Sequence, residues 1–325
     1  MLEDVNRLHI ELDYGEVVNF NNRYFTLSAT EENFKKHNKQ LIGSYIALPV
    51  YLLKYLGEDL NTAEEFLKFP LIKKPKKMND LLMNKNISKF IHIEKSSKLD
   101  SSEKKIISIF KKLNILPFPI FLKRKPYKLK FSFDLKKIKD SVIKSKIVYK
   151  DSTNLPLKKN RNVEIVIFDD LTLKNTHYAL VFNKDKKIGN PTVRVHSSCL
   201  TGDLMGSQKC DCGYQLETAI DYMSKSKNMS ILIYLNQEGR GLGIHNKIIS
   251  YNIQEKGWDT YQADNILGFS GDERDYKAAV EILKFFKVKK LSLITNNPEK
   301  VEYLKKNKIT VNKMIKIKPG VNPHN

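Results

Sequence analysis

The clearest hydrophobic pattern lies in the second half of the chain, where short apolar runs alternate with longer segments of helical periodicity. Runs of Val, Ile, Leu and Phe predict strands, and apolar residues three or four positions apart predict helices. The predicted strands are "VEIVIF" (163–168), "HYALVF" (177–182), "TVRVHS" (192–197), "SILIYL" (230–235) and "LSLIT" (291–295). The predicted helices are "GYQLETAIDYMSK" (213–225), "GLGIHNKIISYNIQEKG" (241–257), "RDYKAAVEILKFFK" (274–287) and "PEKVEYLKKN" (298–307). This alternation predicts an α/β domain, a mixed sheet with flanking helices.

The first 160 residues carry a weaker pattern. The apolar run "LIGSYIALPVYLLKYLG" (41–57) predicts a helix, and "KKIISIFKKLNILPFPIFL" (104–122) predicts another that stops at a pair of prolines. The polar stretch "DSTNLPLKKNRN" (151–162) predicts a linker. We therefore expect two domains, an α+β domain over residues 1–160 and the α/β domain over residues 161–325.

Composition adds a strong positive charge. The chain has 57 Lys and Arg against 36 Asp and Glu, a net charge of +21, and residues 103–160 alone hold 17 basic and 4 acidic residues. Such a balance occurs in proteins that bind nucleic acids, anionic membranes or phosphorylated substrates. Because residues 103–160 contain no recognised nucleic-acid-binding motif, we interpret them as a solvated basic face and expect no nucleic-acid partner.

Targeting signals are not evident in the sequence. The start, "MLEDVNRLHIELDYGEVV", lacks the basic residues and apolar block of a signal peptide. No apolar run approaches the roughly 18 residues that span a bilayer. Three cysteines are too few, and odd in number, for a disulfide framework. These observations predict a cytoplasmic protein that does not enter a membrane.

All three cysteines lie within fourteen positions, in "CLTGDLMGSQKCDCG" (199–213). Thiolates are preferred zinc ligands; structural zinc sites take four protein ligands, whereas catalytic ones keep a position open for water. The cluster of Cys199, Cys210 and Cys212 therefore predicts an open zinc site, which His196 could close as a fourth ligand. Three unrelated buried thiols are the alternative interpretation.

Five motifs follow one another around and after these cysteines. They are "RVHSSCLTGD" (194–203), "KCDCGYQLE" (209–217), "NQEGRGLGIHNKI" (236–248), "GDERDY" (271–276) and "LITNNPEKVE" (293–302). In this order they resemble the GTP cyclohydrolase II family over about residues 160–320. The resemblance implies a homodimeric enzyme that performs the first step of riboflavin biosynthesis. It implies hydrolysis of GTP to 2,5-diamino-6-(5-phospho-D-ribosylamino)pyrimidin-4(3H)-one, formate and diphosphate, with zinc on the three cysteines and magnesium with the triphosphate.

The resemblance also implies roles for individual residues. Asp272 matches a proton acceptor, Tyr251 a catalytic-site tyrosine, and Arg274 the proposed nucleophile toward the α-phosphorus. Because a guanidinium group stays protonated, Arg274 could equally stabilise phosphoryl charge. Glu238 could bind the guanine edge or a metal ion. The residues that match GTP contacts are Arg194, Val195, His196, Ser197, Ser198, Gln215, Glu238, Gly239, Arg240, Thr260, Thr295 and Lys300.

The chain departs from the family pattern at three places. Gly241 stands where a polar residue is often seen, and we expect little effect there. Ser198 stands where the family commonly has Glu, which leaves the orientation of the substrate open. The sequence also ends at "GVNPHN", before a segment that often follows in the family.

The first half resembles a second family only faintly. The segment "ELDYGEVVNFNNRYFTLSATE" (11–31) is similar to the start of a dihydroxybutanone phosphate synthase domain, but the acidic loop that supplies metal-binding carboxylates there is absent. We therefore expect residues 1–160 to be a degenerate or accessory domain without catalysis. Deleting residues 1–155 should then leave some ring-opening activity.

Two alternatives to this reading remain. One is a relative that acts in another pathway, such as pyrimidine catabolism, or gives another product. The other is a non-catalytic zinc protein that binds RNA through its basic region.

Overall fold

The computed structural model describes residues 2–37, 41–76, 79–83, 86–126, 129, 131–143, 146–186, 189–318 and 320. The chain forms two compact units, and it enters the first one twice. The first unit contains Met1–Lys144 and Gly241–Glu273, and the second contains Ser145–Arg240 and Arg274–Asn325.

Each unit is built from strands and helices. The strands are β1 (Val18–Phe20), β2 (Tyr24–Ser28), β3 (Tyr45–Pro49), β4 (Phe66–Pro70), β5 (Ser97–Lys98), β6 (Pro119–Phe121), β7 (Phe131–Phe133), β8 (Ile147–Asn154), β9 (Val163–Asp170), β10 (Asn175–Phe182), β11 (Thr192–Ser197), β12 (Ser230–Leu235), β13 (Lys290–Ile294) and β14 (Thr310–Ile315). The α-helices are α1 (Leu2–Asp13), α2 (Glu31–Lys36), α3 (Val50–Tyr55), α4 (Asn79–Leu82), α5 (Ser101–Lys112), α6 (Leu135–Ile143), α7 (Cys212–Ser224), α8 (Ile244–Gln254), α9 (Thr260–Ile266), α10 (Lys277–Phe285) and α11 (Pro298–Lys306). No helix among the described residues is both long enough and apolar enough to cross a lipid bilayer.

The second unit is the α/β domain that the hydrophobic pattern predicts. Its seven strands lie in the order β14-β13-β11-β12-β10-β9-β8; the first four are parallel to one another, and the last three run antiparallel. Helices α10 and α11 cover one face, and α7 covers the other. All five predicted strands and the predicted helices at α7, α10 and α11 are confirmed.

The first unit is an α+β arrangement around a second sheet. Its strand order is β5-β4-β3-β6-β2-β1-β7, and the pairs are antiparallel except for β1 with β7. Helix α5 confirms the predicted helix of this half; Asp100 and Glu103 close a capping box at its start.

The predicted helix over residues 41–57 is wrong in its first part. Residues Tyr45–Pro49 form strand β3, and only Val50–Tyr55 form helix α3. Pro49 cannot donate a backbone hydrogen bond, so it ends the strand and stands directly before the first helical residue.

The predicted single domain boundary near residue 160 differs from the division in the structure, where the chain passes between the units after residues 144, 240 and 273. Strand β8 pairs with β9, so Asp151–Asn154 belong to the second sheet rather than to a linker. Residues 241–273, which the sequence pattern assigns to the second domain, contribute Leu242, Ile253 and Phe269 to the hydrophobic core of the first unit.

Acid should destabilise the fold through His177. This residue lies in β10 with 3% of its surface exposed, and its Nδ1 accepts the backbone N–H of Asn236 at 3.1 Å. Burial lowers its pKa from 6.5 to about 4. The unfolded chain therefore binds a proton at His177 more tightly than the folded chain does. The contribution of His177 to the free energy of unfolding is fully present above pH 6.5, and it falls by at most about 3 kcal/mol as the pH drops toward about 4.

Urea unfolding at about pH 7 and about pH 4.5 measures this loss. His177→Gln keeps a hydrogen-bond acceptor without the titration, so its free energy of unfolding should fall less between the two pH values than that of the wild type. The matched control is His92→Gln, at an exposed position. Equal pH dependence in all three proteins would contradict the assignment.

Candidate active site

Three parallel strands of the second unit end side by side, and the candidate residues follow them. Strand β11 ends at Ser197, two residues before Cys199; β12 ends at Leu235, three residues before Glu238; and β13 ends directly before Thr295. Ligands of open α/β sheets bind beyond the carboxyl ends of parallel strands. The sheet thus gathers residues from three distant parts of the sequence at one edge.

The three cysteines form one cluster at this edge. Their Sγ atoms all lie within 4.8 Å of one another, and those of Cys199 and Cys210 are 3.5 Å apart. Within the described ranges, no histidine or carboxylate ligand atom joins this group. His196, the possible fourth ligand, instead places Nε2 at 3.1 Å from Oδ2 of Asp203.

The backbone at Gly202 packs directly on the sulfurs. Gly202 lies in a π-helical turn, Leu200–Leu204, that follows Cys199. A Cβ atom at this position would lie 2.9 Å from Sγ of Cys210 and 3.1 Å from Sγ of Cys199. Only glycine lets the turn approach the thiols this closely.

The chemistry of this donor set fits a soft divalent cation. The hydrogen bond with Cys199 raises the pKa of the Cys210 thiol, and those with Cys199 and Cys210 raise the pKa of Cys212. Three thiolates this close repel one another, and a cation removes that repulsion because metal ligands bind deprotonated. Cys212 is also the first residue of α7, where the helix dipole favours negative charge. The cluster therefore suits zinc.

Asp203 connects the cysteine loop to the sheet, and the sequence motifs gave it no role. Its Oδ2 accepts the backbone N–H of Cys199 at 3.0 Å and the hydroxyl of Tyr234 at 2.9 Å, in addition to facing His196. The only trace of this role in the sequence is its position, four residues after Cys199 at the end of "CLTGD". Asp203 holds the backbone of a metal-ligand candidate in place.

Strand alternation divides the "RVHSS" residues between two faces of the sheet. The side chain of Val195 lies in the core under α10 and α11, whereas Arg194 and His196 point to the α7 face with 5% and 3% of their surfaces exposed. Only Ser197 and Ser198 are half-buried. The predicted nucleotide contacts at Arg194, Val195 and His196 therefore lie on residues that this structure buries.

The Arg194 guanidinium forms part of a polar chain toward the cysteines. Its Nη2 donates to Oε1 of Gln215 at 2.7 Å, and Nη1 donates to the Ile294 carbonyl at 3.2 Å. Nε2 of Gln215 in turn donates to Oδ2 of Asp211 at 2.6 Å. Burial lowers the pKa of Arg194, and the nearby Asp211 carboxylate partly offsets this effect.

Ser198 and Gln237 link the strand ends to the segment that contains Arg274. The hydroxyl of Ser198 accepts the backbone N–H of Gln237 at 3.1 Å. The Gln237 carboxamide binds both backbone groups of Asp275: Oε1 accepts its N–H at 3.1 Å, and Nε2 donates to its carbonyl. Gln237 thereby fixes the residue next to Arg274, a role that the motifs did not indicate.

Glu238 joins the end of β12 to the cysteine loop. Its Oε2 accepts the backbone N–H of Leu200, the residue after Cys199, at 2.6 Å. The next two residues, Gly239 and Arg240, have φ angles of 60° and 57°. A left-handed backbone at a non-glycine residue costs on the order of 1 kcal/mol or more and concentrates at functional sites. The "EGR" motif is therefore a tight, strained turn beside the cysteines.

Thr295 and Lys300 are buried and bonded within the protein. The Thr295 hydroxyl accepts the backbone N–H of Asn297, the N-cap residue of α11, at 3.0 Å. Nζ of Lys300 donates to the Val195 carbonyl at 2.9 Å and lies 5.4 Å from the Tyr276 ring centre. Their predicted contacts with the nucleotide stay predictions.

Three predicted residues belong to the first unit, whereas the cysteines belong to the second. Tyr251 is on α8, where Nζ of Lys247 lies 5.6 Å from its ring centre. Thr260 is the first residue of α9, directly after the N-cap Asp259, and Asp272 lies in the loop before α10. Arg274, two residues later, belongs to the second unit.

Comparison with known proteins relates the second half to one family. The sequence model of GTP cyclohydrolase II matches residues 148–316. A GTP cyclohydrolase-2 of Psychromonas ingrahamii is 47% identical over 168 residues, which are 50% of this chain and 83% of the relative. A GTP cyclohydrolase-2 of Aliivibrio fischeri is 45% identical over 159 residues (49% and 79%), and one of Helicobacter pylori is 54% identical over 117 residues (36% and 60%).

One solved structure aligns with almost the whole chain, but weakly. It is described as RibBX, a two-domain 3,4-dihydroxy-2-butanone 4-phosphate synthase from A. baumannii, and it covers 97% of this chain and 99% of its own at 11% identity. Its TM-score is 0.30, too low to indicate a shared fold.

The range that the family model matches contains the three cysteines and all the residues to which the sequence assigned a role. The family model matches more than half of the chain, and the three relatives share 45–54% of their residues with it over the aligned parts. The chain belongs to the GTP cyclohydrolase II family.

Proposed function

We propose that this protein is a zinc-dependent hydrolase that converts GTP to 2,5-diamino-6-(5-phospho-D-ribosylamino)pyrimidin-4(3H)-one, formate and diphosphate, the first step of riboflavin biosynthesis. The family membership supports GTP as the substrate. The observation that carries the proposal is the cluster of three thiol sulfurs within 4.8 Å, with the Gly202 backbone packed against it. A cluster with three protein ligands leaves a position for water or substrate.

Cys199, Cys210 and Cys212 would hold the zinc ion. When bound, zinc acts as a Lewis acid and lowers the pKa of water in its coordination sphere to about 7, which supplies a hydrolytic nucleophile at neutral pH. Asp203 supports this arrangement because it fixes the backbone of Cys199. Magnesium would accompany the triphosphate, whose oxygens it prefers.

Residues around the "EGR" turn and Arg274 would bind the nucleotide. Guanine presents N–H donors at N1 and N2, and the carboxylate of Glu238 offers acceptors next to the cysteine loop. Arg240 and Arg274 supply positive charge for the phosphates. Because guanidinium remains protonated, we assign Arg274 to stabilise phosphoryl charge rather than to attack phosphorus.

Two further properties are proposals from the family resemblance. We infer a homodimer, which size-exclusion chromatography with light scattering would reveal as twice the 37.7 kDa mass of the chain. We also infer that the enzyme works in the cytoplasm, where reduced thiols remain available to bind zinc.

The purified protein, incubated with GTP and magnesium, should release formate and diphosphate in equal amounts and contain one zinc ion per chain. Cys210→Ser should lose both zinc and formate release, because one of three thiolates is gone. Diphosphate without formate would contradict the ring-opening step. Full formate release by Cys210→Ser would contradict the metal assignment.

Gly202→Ala should also weaken zinc binding, because its methyl group would lie 2.9 Å from Sγ of Cys210 and displace the sulfurs. We expect a loss of at least about tenfold in zinc affinity, the size of effect seen when residues that support metal ligands are changed. Competition with a chelator measures it. The matched control is Gly189→Ala, where the added methyl group would have no atom within 4 Å among the described residues other than its own chain neighbours. Equal affinity in the two variants would show that the close approach at Gly202 has no role.

Arg274→Ala should lower turnover by a factor of about 100 or more, the usual cost of removing a group that stabilises transition-state charge. Its zinc content should stay at the wild-type value, because the thiol cluster does not include it. Arg274→Lys retains a charge without the planar fork and should recover part of the rate. Wild-type turnover in Arg274→Ala would remove this residue from the mechanism.

A further inference from the structure

The segment 241–273 has its apolar side in a core that the first half of the chain builds. Leu242, Ile253 and Ile266 are at most 1% exposed, and they share a hydrophobic cluster with residues of strands β2, β3 and β4. Helix α9 packs on helix α3 of the first half. The segment therefore depends on residues 1–144 for its burial.

Close contacts with the first half occur near the start of the segment. Nδ2 of Asn246 donates to the backbone carbonyl of Asn114 at 2.9 Å. A Cβ atom on Gly243 would lie 3.0 Å from Cβ of Asn114, so the Gly243 backbone packs closely against the Asn114 side chain.

Contacts continue to the other end of the segment. The ring of Trp258 stands at 71° to that of Tyr55, with 5.3 Å between the centres. A Cβ atom on Gly268 would lie 2.6 Å from Cζ of Phe66. The first half thus contacts the segment at the start of α8, between the two helices, and after α9.

The two helices of the segment are also joined to each other. The Ser250 hydroxyl on α8 donates to Oδ1 of Asp264 on α9 at 2.9 Å, and both residues are buried. Nε2 of Gln254 donates to the same hydroxyl at 3.1 Å. A displacement of one helix therefore moves the other.

We propose that residues 1–144 are a positioning scaffold for this enzyme rather than an accessory domain. The inference rests on the proposed function, because Tyr251, Thr260 and Asp272, which the resemblance assigns to catalysis and GTP binding, all lie in 241–273. It departs from the expectation that ring-opening activity remains after deletion of residues 1–155. Tyr55 and Phe66 act as positioning residues through the segment that they contact.

The test uses Tyr55→Ala in the full chain, with Tyr55→Phe as the conservative variant that keeps the ring. Tyr55→Ala should speed amide hydrogen exchange across 241–273 and shift the emission of Trp258, the only tryptophan, to longer wavelength. Its kcat should fall by at least about tenfold, since small misplacements of catalytic groups are costly. Zinc content should not change, because the cysteines belong to the second unit. Tyr55→Phe should match the wild type in all four measurements.

A second control separates positioning from general loss of stability. Phe20→Leu alters a buried ring that lies 6.4 Å from Phe133, outside the cluster shared with the segment, and should lower Tm without changing exchange in 241–273 or kcat. If Tyr55→Ala does not fold, Phe66→Leu tests the contact at Gly268 in the same way.

Three results would overturn the proposal. They are faster exchange with unchanged kcat in Tyr55→Ala, unchanged exchange in that variant, and an equal loss of kcat in Phe20→Leu. A wild-type chain that releases no formate would contradict the proposed function separately. Hydrogen exchange would still show in that case whether the first half holds the segment.

Discussion

The mutual repulsion of three thiolates is the constraint on which the candidate site depends. The sulfurs lie within 4.8 Å of one another, and the hydrogen bonds with Cys199 and Cys210 raise the pKa of the Cys212 thiol. A bound cation would remove the repulsion between the three thiolates, because metal ligands bind deprotonated. Holding them together requires a loop with no side chain in the way, which Gly202 provides, and an anchored backbone, which Asp203 provides. The sheet brings the neighbouring polar residues to the cluster, since the parallel strands β11 and β12 place Ser198 and Glu238 at the same edge as Cys199.

Hydrogen bonds beyond the cysteines connect the parts of this edge. The Glu238 carboxylate ties the end of β12 to the backbone after Cys199, and the Ser198 hydroxyl ties the same turn to the end of β11. A glutamate in place of Ser198 would add a carboxylate beside the candidate metal ligands. Ser198 instead offers a hydroxyl that accepts the Gln237 backbone N–H, so the residue at this position supports the turn after β12.

The sequence predicted those parts of the fold in which burial leaves a periodic trace. Strand β12 lies inside the second sheet and is buried on both faces, so it forms an apolar run in the sequence. Its two edge strands, β8 and β14, are polar and mostly exposed, and the pattern missed both. The cysteine cluster was predictable from spacing alone. Asp203 and Gln237 were not, because their roles arise from hydrogen bonds between distant parts of the chain.

The membership of 241–273 in the first unit was equally beyond the sequence pattern, because helical periodicity shows that a face is buried but not what buries it. This placement bears on the "GDERDY" motif. Glu273 accepts hydrogen bonds from Ser270 and faces Lys111, 3.8 Å away in the first unit, whereas Asp275 is bound by Gln237 and Tyr303 in the second. Arg274 therefore has an anchored neighbour on each side, and the chain can carry a displacement of either neighbour directly to its backbone.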